Sequence, residues 1–345
     1  MFSGQPLDFF VQWHLTERCN LRCTHCYQSG RPADELSFSE IKCVITEVSE
    51  MVRAWEDAYG LAFSLSYNVT GGEPLLRKDL PKVIEEIQRQ RGSVSLLTNG
   101  TLIDRAKAET LSQLGVNGIQ VSLEGPENIH DAVRGQGSFR LSIQGIEALL
   151  GAGLTVTVNV TLSKLNAGQM KEMVPLAARL GVQRLGFSRL VPSGRGKGLL
   201  QAMLPLQEVK ELYETLLSIT SNGLSIVTGD PVASQMAAKD DGDLGEHPVA
   251  GCAAGVSGLT LRCDGTIMPC RRLPIKIGNV CTDLLREVWA TSEVLNRLRN
   301  RKLYKGKCGQ CPRWAACRGC RAIAYAYSQS KGHDDFLAED PQCFI

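Results

Sequence analysis

The sequence predicts an α/β fold of parallel βα units followed by a smaller cysteine-rich region. Two observations carry this. Between residues 9 and 187, six short apolar runs alternate with amphipathic segments, and nine of the thirteen cysteines lie between Cys252 and Cys343. The runs occupy residues 9–15, 61–69, 94–97, 118–123, 154–162 and 184–187. Strands separated by helical segments pair in parallel, because parallel neighbours need a crossover connection. Six such units form either an incomplete barrel or an open doubly wound sheet, and periodicity alone does not choose.

The first helix has a readable start. Ser37 followed by Glu40 is a capping-box pattern, and Ile41, Val44, Ile45, Val48 and Val52 then recur at helical spacing. Cys43, inside that helix and without a companion, reads as a small structural hydrophobe. A Gly/Pro/Ser segment at residues 191–198 breaks the alternation and reads as the start of a connector. A helix is expected at 208–220 and a polar loop at 239–247. Residues 259–262 and 266–268 flank Asp264-Gly265, a strong hairpin signal. The chain thus divides into residues 8–195, a connecting segment 196–250, and a second domain 251–345.

A formal charge of +2 gives no reason to expect nucleic acid or an anionic membrane as partner. No export signal and no run of eighteen apolar residues is present, so a soluble, cytoplasmic protein is expected. An odd cysteine count in that setting argues for metal binding rather than a disulfide framework.

Cys19, Cys23 and Cys26 follow the first strand directly, at the strand end where α/β barrels place their chemistry. Four thiolates normally cap a [4Fe-4S] cluster, so a set of three leaves one iron open to an exogenous ligand. A zinc site using His25 is the plainer alternative, but structural zinc sites space two ligand pairs farther apart. The Cys-x3-Cys-x2-Cys spacing, with an aromatic residue before the last cysteine, resembles the radical S-adenosylmethionine superfamily. That resemblance implies a partial (β/α)6 TIM-like barrel and continues along the chain. Gly71-Gly72-Glu73-Pro74 after the second strand resembles the segment that meets the methionine amino group of the cofactor. Thr98, Asn99 and Ser122 match positions lining its ribose and carboxylate, and Arg134 resembles a residue that pairs with the carboxylate. Asn159 and Thr161 are further candidates, and His25 is expected to pack over the cluster.

The second group, Cys252, Cys270, Cys308, Cys311, Cys317, Cys320 and Cys343, resembles the SPASM domain, which holds two auxiliary [4Fe-4S] clusters. Carried over, Cys252, Cys270 and Cys320 would ligate the first, and Cys308, Cys311, Cys317 and Cys343 the second. Three clusters imply about twelve irons per chain. Two departures stand out. Only Arg318 and Gly319 separate Cys317 from Cys320, one fewer than usual, and the fourth ligand of the first auxiliary cluster is Cys263, Cys281 or none. Zinc is the competing reading for the paired Cys-x2-Cys units. The basic residues Arg297, Arg299, Arg301, Lys302, Lys305 and Lys307 suggest a solvated helix end or a docking face.

The resemblance implies reductive cleavage of S-adenosylmethionine and hydrogen abstraction from a substrate, with a flavodoxin- or ferredoxin-type electron donor. The expected substrate is a ribosomally made peptide that receives a thioether or carbon-carbon cross-link. Residues 10–19 are similar to the maturase subgroup named for its ACGX-repeat peptides. A radical motif starting at residue 19 leaves no room before it for a peptide-recognition domain, so a separate carrier or direct docking is expected. The alternatives are a small molecule or haem precursor as substrate, or a non-catalytic iron-sulfur electron carrier. Tyr27, Arg189 and Cys263 are candidates to face a barrel opening; no catalytic base is assigned.

Overall fold

The computed structural model describes residues 6–30, 33–220, 223–233, 236 and 250–345; the expected polar loop at 239–247 lies outside them. All six expected strands form, with ends within two residues of the sequence reading: β1 Leu7–His14, β2 Phe63–Thr70, β3 Ser93–Thr98, β4 Gly118–Ser122, β5 Val156–Leu162 and β6 Arg184–Arg189. They lie side by side in chain order and all run parallel. Between them run α1 Phe38–Tyr59, α2 Leu80–Arg89, α3 Arg105–Gln113, α4 Glu127–Arg134, α5 Ser138–Gly151 and α6 Met170–Leu180.

Two additions extend the sheet. After α7 Leu206–Ser218, the segment expected to connect the domains supplies β7 Ser225–Thr228, parallel to β6. The expected hairpin forms as β8 Gly258–Leu261 and β9 Thr266–Met268, but β8 also pairs in parallel with β1, from Phe10↔Gly258 to Trp13↔Leu261. The cysteine-rich region is therefore joined to the barrel by a strand. Beyond it come β10 Gly278–Asn279, α8 Leu285–Thr291, α9 Glu293–Arg299, α10 Gly306–Gln310 and α11 Arg321–Ser330.

Side-chain alternation decides what each face of this sheet does. On β1, Phe9, Val11 and Trp13 are buried in the apolar core, as are Leu15 just after it and Val156, Val158, Val160 and Leu162 of β5. Burying each such side chain contributes roughly 1.5–3 kcal/mol. The intervening residues are polar: Gln12 and His14 on β1, Asn68 on β2, Gln120 and Ser122 on β4, Asn159 and Thr161 on β5, and Ser188 on β6. Apart from His14, each of them lines a cavity inside the curved sheet. A parallel sheet buried on both faces reads as continuous apolar runs instead. The polar face is thus the lumen of a barrel.

α1 packs Ile41, Val44, Ile45, Val48 and Val52 inward, as its periodicity requires. Its cap is the expected box: Ser37 Oγ accepts from the Glu40 amide, and the Glu40 carboxylate accepts from the Ser37 amide at 2.7 Å. Ser37→Ala is expected to cost about 1 kcal/mol of stability in denaturant unfolding. Cys43 departs from expectation, since it is exposed on this helix rather than buried with the apolar positions.

Candidate active site

The loop after β1 carries Cys19, Cys23 and Cys26 and is clamped on three sides. The Gly72 and Glu73 amides donate to Thr16 O and Arg18 O at 2.7 and 2.8 Å. The Thr24 amide donates to Val133 O in α4 at 2.9 Å, and the Gly196 amide to Cys26 O at 3.0 Å. Residues 191–198 therefore hold the cysteine loop rather than act as a slack connector. A Cβ at Gly72 would stand 2.3 Å from Arg18 O. The double glycine admits the chain's own backbone, next to Cys19, as well as any ligand.

Cys19, Cys23, Cys26, Gly71, Gly72, Thr98, Asn99, Ser122 and Arg134 all line one cleft. Tyr27, Asn159, Thr161 and His25 line it too. Glu73 stands behind this wall, fully buried, where its carboxylate accepts from Thr98 Oγ1 at 2.8 Å and from the Asn99 amide at 2.9 Å. Burial pushes its pKa up to about 7, against those hydrogen bonds. Glu73 thus orders the Thr98-Asn99 turn, and Asn99 Nδ2 reaches Asn20 Oδ1, next to Cys19, at 2.9 Å.

Arg134 is not a free guanidinium. It donates to Glu124 Oε1 from Nε at 2.9 Å and from Nη2 at 2.5 Å, and its Nη1 points to Cys23 Sγ at 3.8 Å. Glu124 also meets His25 Nε2 at 3.1 Å and accepts the Thr161 amide at 2.9 Å. Burial alone would raise this carboxyl, but Arg134 and His25 hold it well below the usual carboxylate range. His25 is therefore turned to Glu124. Glu124 lies in the Ser122-Leu123-Glu124-Gly125 segment that resembles cofactor-lining positions, but its role as the hub of this network is not readable from that segment.

The other cysteines separate into two cavities. Cys252, Cys270 and Cys320 line one, together with Gln12, Asn68 and Gln120 of the lumen. Cys308, Cys311, Cys317 and Cys343 line the other, beside Trp314. The short spacing between Cys317 and Cys320 has a local cause: Arg318 and Gly319 both adopt left-handed φ, 63° and 60°. That tight turn sends neighbouring thiols to opposite cavities. Cys263 is buried in the field of Glu17 and Asp264, and Cys281 is exposed near Glu40; neither lines the Cys252 cavity. Neither is placed as its fourth ligand, and Cys263 is not among the residues that line the cleft at the radical loop.

Among the described residues, no three His, Cys, Asp or Glu side chains converge closely enough to hold a single metal ion. One tetrahedral ion would draw thiolate sulfurs to within about 4 Å of one another. Burial pushes the thiols of Cys19, Cys317 and Cys320 up, so a metal group that binds them must displace their protons. Sets of three, three and four thiols around separate spaces fit multi-iron clusters.

The comparisons with known proteins agree. Residues 13–177 match the radical SAM superfamily and residues 252–321 the SPASM iron-sulfur cluster-binding domain. An AdoMet-dependent heme synthase of Methanosarcina barkeri is 32% identical over 96% of this chain and 95% of its own length. The chain belongs to the radical S-adenosylmethionine superfamily and carries a SPASM domain. A similar relative is the mycofactocin maturase MftC of Mycolicibacterium smegmatis, 31% identical over 93% of this chain and 80% of that one. Among solved structures, anSMEcpe with bound AdoMet superposes with a TM-score of 0.73 at 20% identity, covering 97% of this chain and 93% of that one. Streptococcus suis SuiB bound to its precursor peptide SuiA gives 0.75 at 18%, covering 98% and 76%. Both share the fold.

As a radical SAM and SPASM protein, the chain has [4Fe-4S] clusters and S-adenosylmethionine as its cofactors. The basic stretch before Cys308 is mostly spent inside this domain. Arg299 donates to Gly255 O and Trp289 O, Arg301 to Cys311 O, Arg297 lies over Phe336, and Lys305 pairs with Asp335. Lys302 and Lys307 are left exposed, so neither a solvated helix end nor a continuous docking face describes it. Among the described residues, no helix is long and apolar enough to cross a membrane.

Proposed function

We propose that the chain modifies a ribosomally made peptide, forming a thioether or carbon-carbon cross-link, and that it works with three clusters. The observation that carries this reading is the partition of ten cysteines among three cavities, of which the first also holds the cofactor-like positions. Cys19, Cys23 and Cys26 hold the radical cluster; Cys252, Cys270 and Cys320 hold one auxiliary cluster; Cys308, Cys311, Cys317 and Cys343 hold the other. The division into residues 8–195, 196–250 and 251–345 is kept, with β7 and β8 lending strands to the barrel sheet. A cluster held by Cys19, Cys23 and Cys26 would supply one-electron chemistry there, the reductive cleavage of S-adenosylmethionine and hydrogen abstraction from the substrate.

The protein's own residues bind, orient and exclude water. Gly71 and Gly72 offer backbone at the methionine end, and Thr98, Asn99 and Ser122 line the ribose, with Glu73 fixing the first two. Arg134 balances charge at Cys23 and at the methionine carboxylate, held in place by Glu124. The lumen beyond Asn159 and Ser188 receives the substrate. The reducing electron comes from a flavodoxin- or ferredoxin-type donor. The likeness to the mycofactocin maturase supports a maturase role, and the SuiB complex illustrates a peptide bound to this fold.

A second reading, modification of a haem precursor, is favoured by the heme synthase relative, which matches this chain end to end. One experiment separates them. Anaerobic enzyme with dithionite and S-adenosylmethionine is expected to form 5'-deoxyadenosine, and coexpression with a short peptide encoded beside it should remove a pair of hydrogens per cross-link by mass spectrometry. No 5'-deoxyadenosine with or without substrate would sink the radical chemistry. An unmodified peptide alongside a consumed coproporphyrin would select the second reading.

A further inference from the structure

The cleft at the radical loop and the cavity at Cys252, Cys270 and Cys320 meet, sharing Leu97, Gln120, Arg271 and Arg272 as common walls. We propose that Arg271 and Arg272 form a binding site for a carboxylate of the substrate, at the neck between the two cavities. This deepens the proposed function and rests on its placing of substrate in the lumen.

Both guanidiniums are half-buried, and among the described residues neither has a carboxylate within ion-pair distance. Arg271 Nη1 donates to Gln12 Oε1 at 3.0 Å, and the group lies 5.8 Å from the Tyr27 ring centre. Arg272 Nη1 donates weakly to Arg189 O at 3.3 Å, while its Nε is buried without any hydrogen-bond partner. An arginine carries five N–H donors in a planar fork that matches a carboxylate. Most of these ten are unspent. The barrel residues around them, Gln12, Asn68, Gln120 and Asn159, are neutral, and a carboxylate whose field does reach Arg272, that of Asp230, is already forked by Arg189. Withdrawing cations from water without a counter-charge is costly, and an anion entering the neck would offset that cost.

The plainer account is that these arginines balance the auxiliary thiolates. It suits Arg272, which lies in the field of Cys320 and Cys270. It does not suit Arg271, whose guanidinium turns to Gln12 and Tyr27. Arg271 therefore decides between the accounts.

The carboxylate belongs to a peptide C-terminus or to a porphyrin side chain, and paired probes distinguish these sources. Iron-loaded enzyme with S-adenosylmethionine is titrated with N-acetylphenylalanine against its amide, and with coproporphyrin III against its tetramethyl ester. In at least one pair the acid should bind more tightly than its neutral partner. Arg271→Gln should weaken that acid about tenfold, the worth of a charged hydrogen bond, and leave the neutral partner unchanged. Arg271→Lys, which keeps the charge without the fork, should retain most of the preference. Equal binding of acid and neutral forms in both pairs overturns the proposal, as does an Arg271→Gln enzyme that binds like the parent. If Arg271→Gln loses iron, the Lys variant decides: loss of the acid preference with its iron intact also overturns it. Binding needs no turnover, so an enzyme that prefers the acid but forms no 5'-deoxyadenosine would keep this site and lose the proposed function.

Discussion

Arg189→Met is expected to lower stability by about 3–5 kcal/mol and to release iron from the C-terminal region while sparing the radical loop. Arg189, at the end of β6, is 1% exposed. It forks onto Asp230 at 2.6 and 2.9 Å, onto Asp340 at 2.9 and 2.8 Å, and reaches Gln342 at 3.1 Å. Removing it leaves two carboxylates buried without their cation. Asp340 in turn accepts the Cys320 amide at 2.8 Å and the Gln342 amide at 2.9 Å, so its displacement moves the thiols of Cys320 and Cys343.

The pH response has a definite sign. Burial opposes ionisation of Asp340, but Arg189 overcomes it and depresses the pKa, so in the parent this stabilisation is complete above the ordinary carboxylate range and is lost on acidification below it. Without Arg189, burial of Asp340 is opposed only by the Cys320 and Gln342 amides, so its pKa rises relative to the parent's and mild acid should cost the variant less stability than it costs the parent. Denaturant unfolding between pH 5 and 8, with iron counted per chain, checks both. An unchanged midpoint and full iron content would refute this latch.

Arg189 also illustrates what the sequence could and could not tell. The strand that it ends is readable, though the apolar run stops at Phe187, whereas its partners lie 41 and 151 residues away, beyond any local pattern. The six parallel strands were legible because β-branched runs alternate with amphipathic helices, and the Ser37-Glu40 box marked α1 unambiguously. The choice of a barrel also lay in the sequence, in a feature periodicity counts of single strands pass over. β4 and β5 alternate apolar with Gln120, Ser122, Asn159 and Thr161, and a polar face repeated on neighbouring parallel strands means a hollow interior. The pairing of β8 with β1 was not legible, since Gly258–Leu261 carries a hairpin signal that satisfies only one of its edges.

Within the site, residues fixed by spacing were easier to read than residues fixed by partners. Three thiols in eight residues needed no tertiary information. The grouping of Cys317 and Cys320 into different cavities depended on Arg318, a non-glycine residue with left-handed φ that its own hydrogen bonds to Ala315 O and Cys252 O hold in place. Arg134 lines the cleft, and a carboxylate of the chain, that of Glu124, already engages it. A guanidinium has more donors than Glu124 uses, so the two roles are compatible.

Glu124→Gln should therefore be the most damaging neutral substitution at the radical loop, costing about 3–5 kcal/mol and weakening S-adenosylmethionine binding rather than improving it. If Arg134 served only a ligand carboxylate, freeing it from Glu124 would leave binding intact or tighten it. The geometry argues otherwise, because Glu124 simultaneously orients His25, Arg134 and the Thr161 amide, three groups that line the cleft from three elements. A glutamine keeps one acceptor oxygen but leaves the Arg134 charge buried beside Cys23, with no carboxylate in contact. Replacing both residues, Glu124→Gln with Arg134→Gln, should be less destabilising than Glu124→Gln alone, since the orphaned charge leaves with its partner. In the parent the depressed pKa of Glu124 keeps this stabilisation complete above about pH 4.5, to be lost only as pH falls further. Calorimetric titration of S-adenosylmethionine into iron-loaded parent, single and double variants, alongside their unfolding midpoints, tests the order. A single variant that binds the cofactor as the parent does would show that Arg134 needs no positioning.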